Sequence, residues 1–343
     1  MFRKFFALFL FLCLAGFTAA PADAEQGGRL RAFLEKRRAG GDSGDDMTRA
    51  VDDETGMRSS LSCERMAQMV NKRASRKPAD KQQPDKTFKY GEHAAQALDV
   101  YLPSKPAHDA PYPVLFMVHG GAWCIGGKDM GKVVTNKIAR WLDKGFIFVS
   151  INYRMLPDKA DVVAQAADVA TALAYVQKHA AEWQGNPDRI IIMGHSAGAH
   201  LVSLIGADAE TTAGFGVKPW LGTVSLDSAA LDIPEKMKVK HAGFYDDAFG
   251  ADETFWTKVS PVHHLSKSSL PWLGVCSSTR KDSCPAAHVF AEKAKALGIK
   301  AEVLEEPRKH GAINGDLGLD GDYTDAVEKF MAGLDADVKA RLE

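Results

Sequence analysis

Three separated segments carry side chains suited to acyl transfer. Gly194-His195-Ser196-Ala197-Gly198 follows the apolar run Ile190-Ile191-Ile192-Met193 and opens into Ala199-His200-Leu201-Val202-Ser203-Leu204. A serine between two glycines at a strand-to-helix turn has the context of a nucleophile elbow. The sharp turn crowds neighbouring chain, so only small residues fit beside the serine, and its hydroxyl projects at a helix N-terminus. His119-Gly120-Gly121-Ala122-Trp123 ends another apolar run, Val114 to Val118. Acyl transfer puts negative charge on a carbonyl oxygen, and N–H groups from this loop, together with that of Ala197, are placed to receive it.

A serine nucleophile needs a base and an acid, in the chain order Ser, then Asp or Glu, then His. His310, in Arg308-Lys309-His310-Gly311, follows the run Ala301 to Leu304 and precedes the last helical pattern. It is favoured over His263 and His264, whose Ser-Pro-Val-His-His context reads as loop packing, and over His288, which falls on a helical pattern. The acid is expected after the run Trp272 to Ser277, where Asp282 stands. Asp227, at the end of Leu221 to Leu226, is its main rival, and Glu306 a weaker one. The carboxylate would accept the imidazole N–H and stabilise the cation formed during proton transfer.

These residues need a scaffold that gathers them. Strands are expected at Thr87–Tyr90, Ala97–Leu102, Pro113–Val118, Phe146–Asn152, Ile190–Met193, Leu221–Leu226, Trp272–Ser277 and Ala301–Leu304. Several are unbroken Val/Ile/Leu/Phe runs, as strands buried on both faces of a mostly parallel sheet require. Between them, Val162, Ala166, Val169, Leu173 and Val176 form one helical stripe. Val289, Phe290, Lys293, Ala294 and Leu297 form another before Gly298, and a third lies near Tyr323 to Leu334. The alternation predicts an α/β fold, a mostly parallel sheet with helices on both faces and right-handed crossovers. Residues 61–343 are expected to form this domain, opening with a short helix around Cys63 to Lys72. Residues 231–268, of weaker periodicity, are expected to form a cap-like insertion.

Taken together, Tyr101-Leu102-Pro103, His119-Gly120-Gly121-Ala122-Trp123, Asn152-Tyr153-Arg154, Gly194-His195-Ser196-Ala197-Gly198 and the order Asp282 then His310 resemble the esterase/lipase branch of the α/β-hydrolase superfamily. The closest likeness is to carboxylesterase-like and kynurenine formamidase-like members bearing HGGxW. The resemblance runs from about Thr87 to the C-terminal helix. It implies a triad of Ser196, Asp282 and His310, an oxyanion hole at Gly120, Gly121 and Ala197, no cofactor, and a small-molecule ester as substrate, short in its acyl chain. Ala122 stands where hormone-sensitive-lipase relatives carry a third glycine. Two other readings remain: an amide or formamide hydrolase using the same residues, and a catalytically silent binding module on the same scaffold.

The formal charge of -1 supplies no general field for nucleic acid or an anionic membrane. Arg3 and Lys4, the apolar run Phe5 to Phe17 and the small-x-small Ala22-Asp23-Ala24 predict a signal peptide over 1–24. Thirteen apolar residues are too few to cross a hydrocarbon core, so no stable membrane anchor is expected after cleavage. Residues 25–60, charged and glycine-bearing, read as a flexible leader of an exported protein, periplasmic or secreted. Export lets disulfides persist, and Cys63, Cys124, Cys276 and Cys284 allow three pairings. A Cys276–Cys284 bridge would clamp the loop that carries Asp282. No CxxC or clustered His/Cys spacing suggests a metal site.

Overall fold

The computed structural model describes residues 62–74, 82–104 and 108–343. The expected signal peptide over 1–24 and leader over 25–60 lie outside the described residues. Eight strands make one sheet: β1 (Lys86–Lys89), β2 (Ala97–Tyr101), β3 (Tyr112–Val118), β4 (Ile147–Ile151), β5 (Gly185–His195), β6 (Gly222–Leu226), β7 (Trp272–Ser277) and β8 (Ala301–Glu306). Their order is β1-β2-β4-β3-β5-β6-β7-β8. β1, β2 and β4 pair antiparallel, whereas β4, β3, β5, β6, β7 and β8 run parallel.

The helices are α1 (Cys63–Ala74), α2 (Gly131–Trp141), α3 (Val162–His179), α4 (Ala197–Ala207), α5 (Ala209–Ala213), α6 (Ile233–Met237), α7 (Gly243–Phe249), α8 (Glu253–Lys258), α9 (Ser283–Ala296), α10 (His310–Gly315), α11 (Asp322–Ala332) and α12 (Ala336–Leu342). Alternation within the strands builds two cores. Val114, Phe116 and Val118 of β3, with Ile190 and Ile192 of β5, pack beneath Val169, Leu173 and Val176 of α3 and Leu201 of α4. Leu115, Met117, Ile191 and Met193 point the other way, against Val133, Val134 and Trp141 of α2 and Val327, Phe330 and Met331 of α11. The unbroken apolar runs are thus strands covered on both faces, and each fully buried Val, Leu, Ile or Phe contributes about 1.5–3 kcal/mol.

One expected stripe needs correction. Val289 is 43% exposed, and α9 buries Cys284, Ala287, Phe290, Ala291 and Ala294 instead. The helix begins at Ser283, six residues before the apolar pattern had suggested, and this phase sets which face meets β7. The segment 231–268 contains α6, α7 and α8, and α7 buries Phe244, Tyr245 and Phe249. Among the described residues, no helix is long and apolar enough to cross a membrane.

Because six strands run parallel, their carboxyl ends share one edge of the sheet, where ligands bind in open α/β folds. The loops after β3, β5, β6, β7 and β8 all emerge there. The ladder continues slightly beyond the strands: Ser196 N–H donates to Leu226 O at 2.9 Å, Asp227 N–H to Val275 O at 2.7 Å, and Ser278 N–H to Glu306 O at 2.9 Å. Backbone bonds therefore fix the residues immediately past the strands, not only the strands themselves.

Candidate active site

Ser196 sits between β5 and α4 at φ 55° and ψ -115°. That strained conformation turns the hydroxyl outward at the head of the helix. The flanking glycines are explained by contact. A Cβ on Gly194 would lie 2.3 Å from Gly198 O, and one on Gly198 would lie 2.3 Å from Val118 O. Gly120 is equally constrained, since a Cβ there would come within 2.7 Å of His195 O and 3.0 Å of the Ser196 Cβ. The loop after β3 therefore lies directly against the elbow, and its backbone can approach a group bound at Ser196 only because it carries no side chain there.

The loop is held from behind. His119 is buried, its Nδ1 lies 2.8 Å from Gly120 O, and the Tyr153 hydroxyl donates to His119 O at 3.0 Å. The two rings stack with centroids 4.6 Å apart, and burial pushes the His119 imidazole down to about 4, so it is neutral. Trp123 Nε1–H donates to His200 Nδ1 at 3.2 Å; His200 Nε2–H in turn donates to Val259 O at 2.7 Å, which fixes the tautomer. Burial holds His200 near 4 as well. These histidines belong to the packing of the loop.

His310 opens α10 and is buried. Its Nδ1–H donates to Asp227 Oδ2 at 2.5 Å, and His195 Nε2–H donates to His310 O at 3.0 Å. The residue preceding Ser196 thus fixes the backbone of the histidine. Ser196, Asp227 and His310 line one cleft of about 280 Å³, its open mouth included, together with Ala122, Trp123, Phe244 and Tyr245.

Asp282, expected to face His310, does not. Its carboxylate meets Lys236 Nζ at 2.6 Å and Arg280 Nη2 at 3.2 Å. The nearby cations draw it away, while Asp227, first residue past β6 and neighbour of β5 in the sheet, takes the place beside the imidazole. Asp227 adopts φ 58°, a left-handed turn that aspartate tolerates better than most residues. The other candidates are dispersed: His263 pairs with Asp232, His264 with Asp208, His288 with Glu305, and Glu306 with Arg308.

The Asp227 carboxylate is fully buried, and its seat is the loop between β7 and α9. Oδ1 accepts from Ser277 N–H at 2.9 Å and from the Ser283 hydroxyl; Oδ2 accepts from Arg280 Nη1 at 3.0 Å. Burial alone would raise this carboxyl, but Arg280, His310 and Ser283 outweigh it and hold it well below the usual range. Ser277 also donates to Arg308 O at 2.5 Å, tying the same loop to the approach to His310.

Cys276 and Cys284 form a disulfide across this loop, with Cα atoms 5.1 Å apart and a separation of 8 in sequence. Cys63 and Cys124 form the other, joining α1 to the segment after the glycine loop. The Cys276–Cys284 bridge encloses Ser277, Arg280 and Ser283, so it clamps the donors around Asp227 rather than the acid itself. Closing so short a loop restricts the unfolded chain by about 2–3 kcal/mol. The double variant Cys276→Ser/Cys284→Ser is expected to melt roughly 5–10 °C lower. Its ester turnover, measured well below that midpoint, should fall about ten- to a hundredfold as the seat of Asp227 loosens. Unchanged turnover would show that the seat holds without the bridge.

Comparison with known proteins agrees with this architecture. The family model described as BD-FAE matches residues 98–218, the span from β2 through the elbow. Esterase LipC of Mycobacterium tuberculosis is 29% identical over 264 residues, covering 71% of this chain and 62% of that protein. Esterase B from Lactobacillus rhamnosis superposes with a TM-score of 0.62 at 20% identity, over 81% of this chain and 95% of that structure. The chain has the α/β-hydrolase fold, and over these spans it is similar to esterases. A probable isoprenylcysteine alpha-carbonyl methylesterase, ICMEL1 of Arabidopsis thaliana, is 36% identical over 114 residues, 33% of this chain and 23% of that protein. The chain thus spans about a quarter of the length of such curated relatives.

Arg280 and His195 are the site residues that sequence reasoning passed over. His195 is the variable position of a G-x-S-x-G run, and nothing in its type announces a bond to residue 310. Arg280 lies two positions before Asp282, and nothing local ties it to Asp227, 53 residues away.

Proposed function

We propose that this chain is a carboxylesterase that cleaves small acyl esters through an acyl-enzyme. The observation that carries the reading is the 2.5 Å contact between His310 Nδ1 and Asp227 Oδ2 in a cleft shared with the elbow serine. Ser196 Oγ attacks the acyl carbonyl while His310 Nε2 takes its proton. Asp227 holds the imidazole in the tautomer whose Nε2 can accept, and stabilises the cation that forms. The N–H groups of Gly120, Gly121 and Ala197 receive the developing oxyanion. Collapse of the tetrahedral intermediate expels the alcohol, which takes the proton from His310. Water, deprotonated by the same imidazole, then releases the acid. No cofactor enters any step.

The walls of the cleft support a short acyl group: Ala122, Trp123, Phe244 and Tyr245 close around Ser196, and the rings of Trp123 and Tyr245 pack 5.6 Å apart. The relatives' names, esterase and methylesterase, point to the same bond type. Aryl acetate is expected to be hydrolysed with kcat/KM at least about tenfold above aryl decanoate, and above an N-formyl aromatic amide. Preference for the long chain would overturn the small-acyl reading, and preference for the formamide would transfer the chemistry to amides. We also read the protein as exported, a reading that the two disulfides support, since such bridges persist in oxidising compartments.

A further inference from the structure

The mechanism above leaves a buried cation without a role. Arg280 Nη1 lies 3.0 Å from Asp227 Oδ2 and 3.0 Å from His310 Nδ1, and its side chain is only 9% exposed. A guanidinium only donates, and Nδ1–H already points at Asp227, so the Arg280 hydrogen goes to the carboxylate. On its far side, Arg280 Nη2 meets Asp282, and Asp282 meets Lys236. Two carboxylates and two cations thus form one chain of charges ending at the imidazole.

In a bare Asp–His pair, protonating the imidazole takes the pair from one negative charge to none. Here the same proton takes a balanced cluster to a net positive charge, with a guanidinium against the ring. Burial leaves little water to screen that encounter.

We propose that Arg280 is a positioning residue that acts on His310 through Asp227. It draws off part of the Asp227 charge and so disfavours the protonated imidazole, while Asp282 and Lys236 set how strongly it does so. The proposal rests on the Ser196–His310–Asp227 reading. Its consequence is a base that remains unprotonated, and an enzyme that remains active, in more acidic solution than the same three residues without the arginine would allow.

The other groups facing His310 do not supply this effect. His195, packed 4.5 Å away on β5, is driven well below its ordinary value by burial, then by His310, and is neutral. Tyr323, beneath α10, is raised well above its ordinary value by burial and is also neutral. Arg308 and Asp316, flanking α10, pair with each other at 2.8 Å. Tyr245, on the cap side, lies under Lys236 with Nζ 4.8 Å from its ring centre. Lys137 of α2 donates to Asn314 O at 2.7 Å, and burial pushes its ammonium down to about 7. Lys137 is the same in every variant compared, so the test reads the displacement of the acidic limb between variants rather than its absolute position.

The test is the pH dependence of kcat/KM on an aryl acetate, whose acidic limb reports protonation of the free enzyme's base. In Arg280→Met the limb is expected to move to higher pH by about one unit, a like charge within contact distance having been removed. Arg280→Lys should return it most of the way. Asp282→Asn should move it the opposite way, to lower pH, because Arg280 then acts on Asp227 unopposed. A purely structural arginine would lower the rate without moving the limb, and that result overturns the proposal. Should Arg280→Met fail to fold, Asp282→Asn decides alone: a limb that stays in place or rises overturns it. Asp227→Asn, run alongside, separates the two claims. Its collapse with unmoved limbs elsewhere removes only the role of Arg280, whereas its retention of activity removes the triad.

Discussion

Asp227→Asn is expected to lower kcat/KM about ten-thousandfold, while Asp282→Asn lowers it less than about tenfold. The first loss corresponds to about 5.5 kcal/mol of transition-state stabilisation. It arises because the amide presents N–H groups where His310 Nδ1–H needs an acceptor, and the imidazole turns to the tautomer that cannot take the serine proton. The carboxylate concerned is the one 2.5 Å from His310, buried and fed by Ser277, Ser283 and Arg280. Asp282 spends its charge on Lys236 and Arg280, and its removal reaches the imidazole only through them. Steady-state kinetics of the two variants, each checked for native folding, would measure the contrast. The reverse ranking would restore Asp282 as the acid.

Ser196→Ala should abolish ester hydrolysis to about one part in a million of the original kcat, the scale seen when a hydrolase loses its nucleophile. What remains, about a thousandfold to ten-thousandfold over water, would come from the oxyanion site and from binding. The fold should survive, because the Ser196 side chain makes no capping bond to α4 and the elbow is set by Gly194, Gly198 and the Leu226 carbonyl. A melting point close to that of the parent, with turnover gone, is the expected pair of results. Residual turnover above about one per cent would place the nucleophile elsewhere.

Much of this architecture can be read from local sequence. The continuous runs Val114–Val118 and Ile190–Met193 became β3 and β5, because strands covered on both faces have no polar side to interrupt them. The glycines around Ser196 and at position 120 are legible for a related reason, since backbone contact excludes side chains whatever the surroundings. Residues whose roles depend on distant partners are not legible in that way. Asp227 and Asp282 each follow a parallel strand and precede His310, so chain order admits both. The choice is made by Arg280 and Lys236, and the approach of Lys236, 46 residues away, leaves no local trace. The phase of α9 failed for want of a cap signal: it starts at Ser283, inside the disulfide loop, and turns Val289 to solvent.

The most direct test of the central claim is covalent. A fluorophosphonate reacts with a serine hydroxyl only where a neighbouring base activates it, and the modified peptide can be identified by mass. A single adduct is expected on Ser196, lost in Ser196→Ala and formed far more slowly in His310→Ala. An adduct on another residue, or labelling that persists when Ser196 is replaced, would contradict that claim.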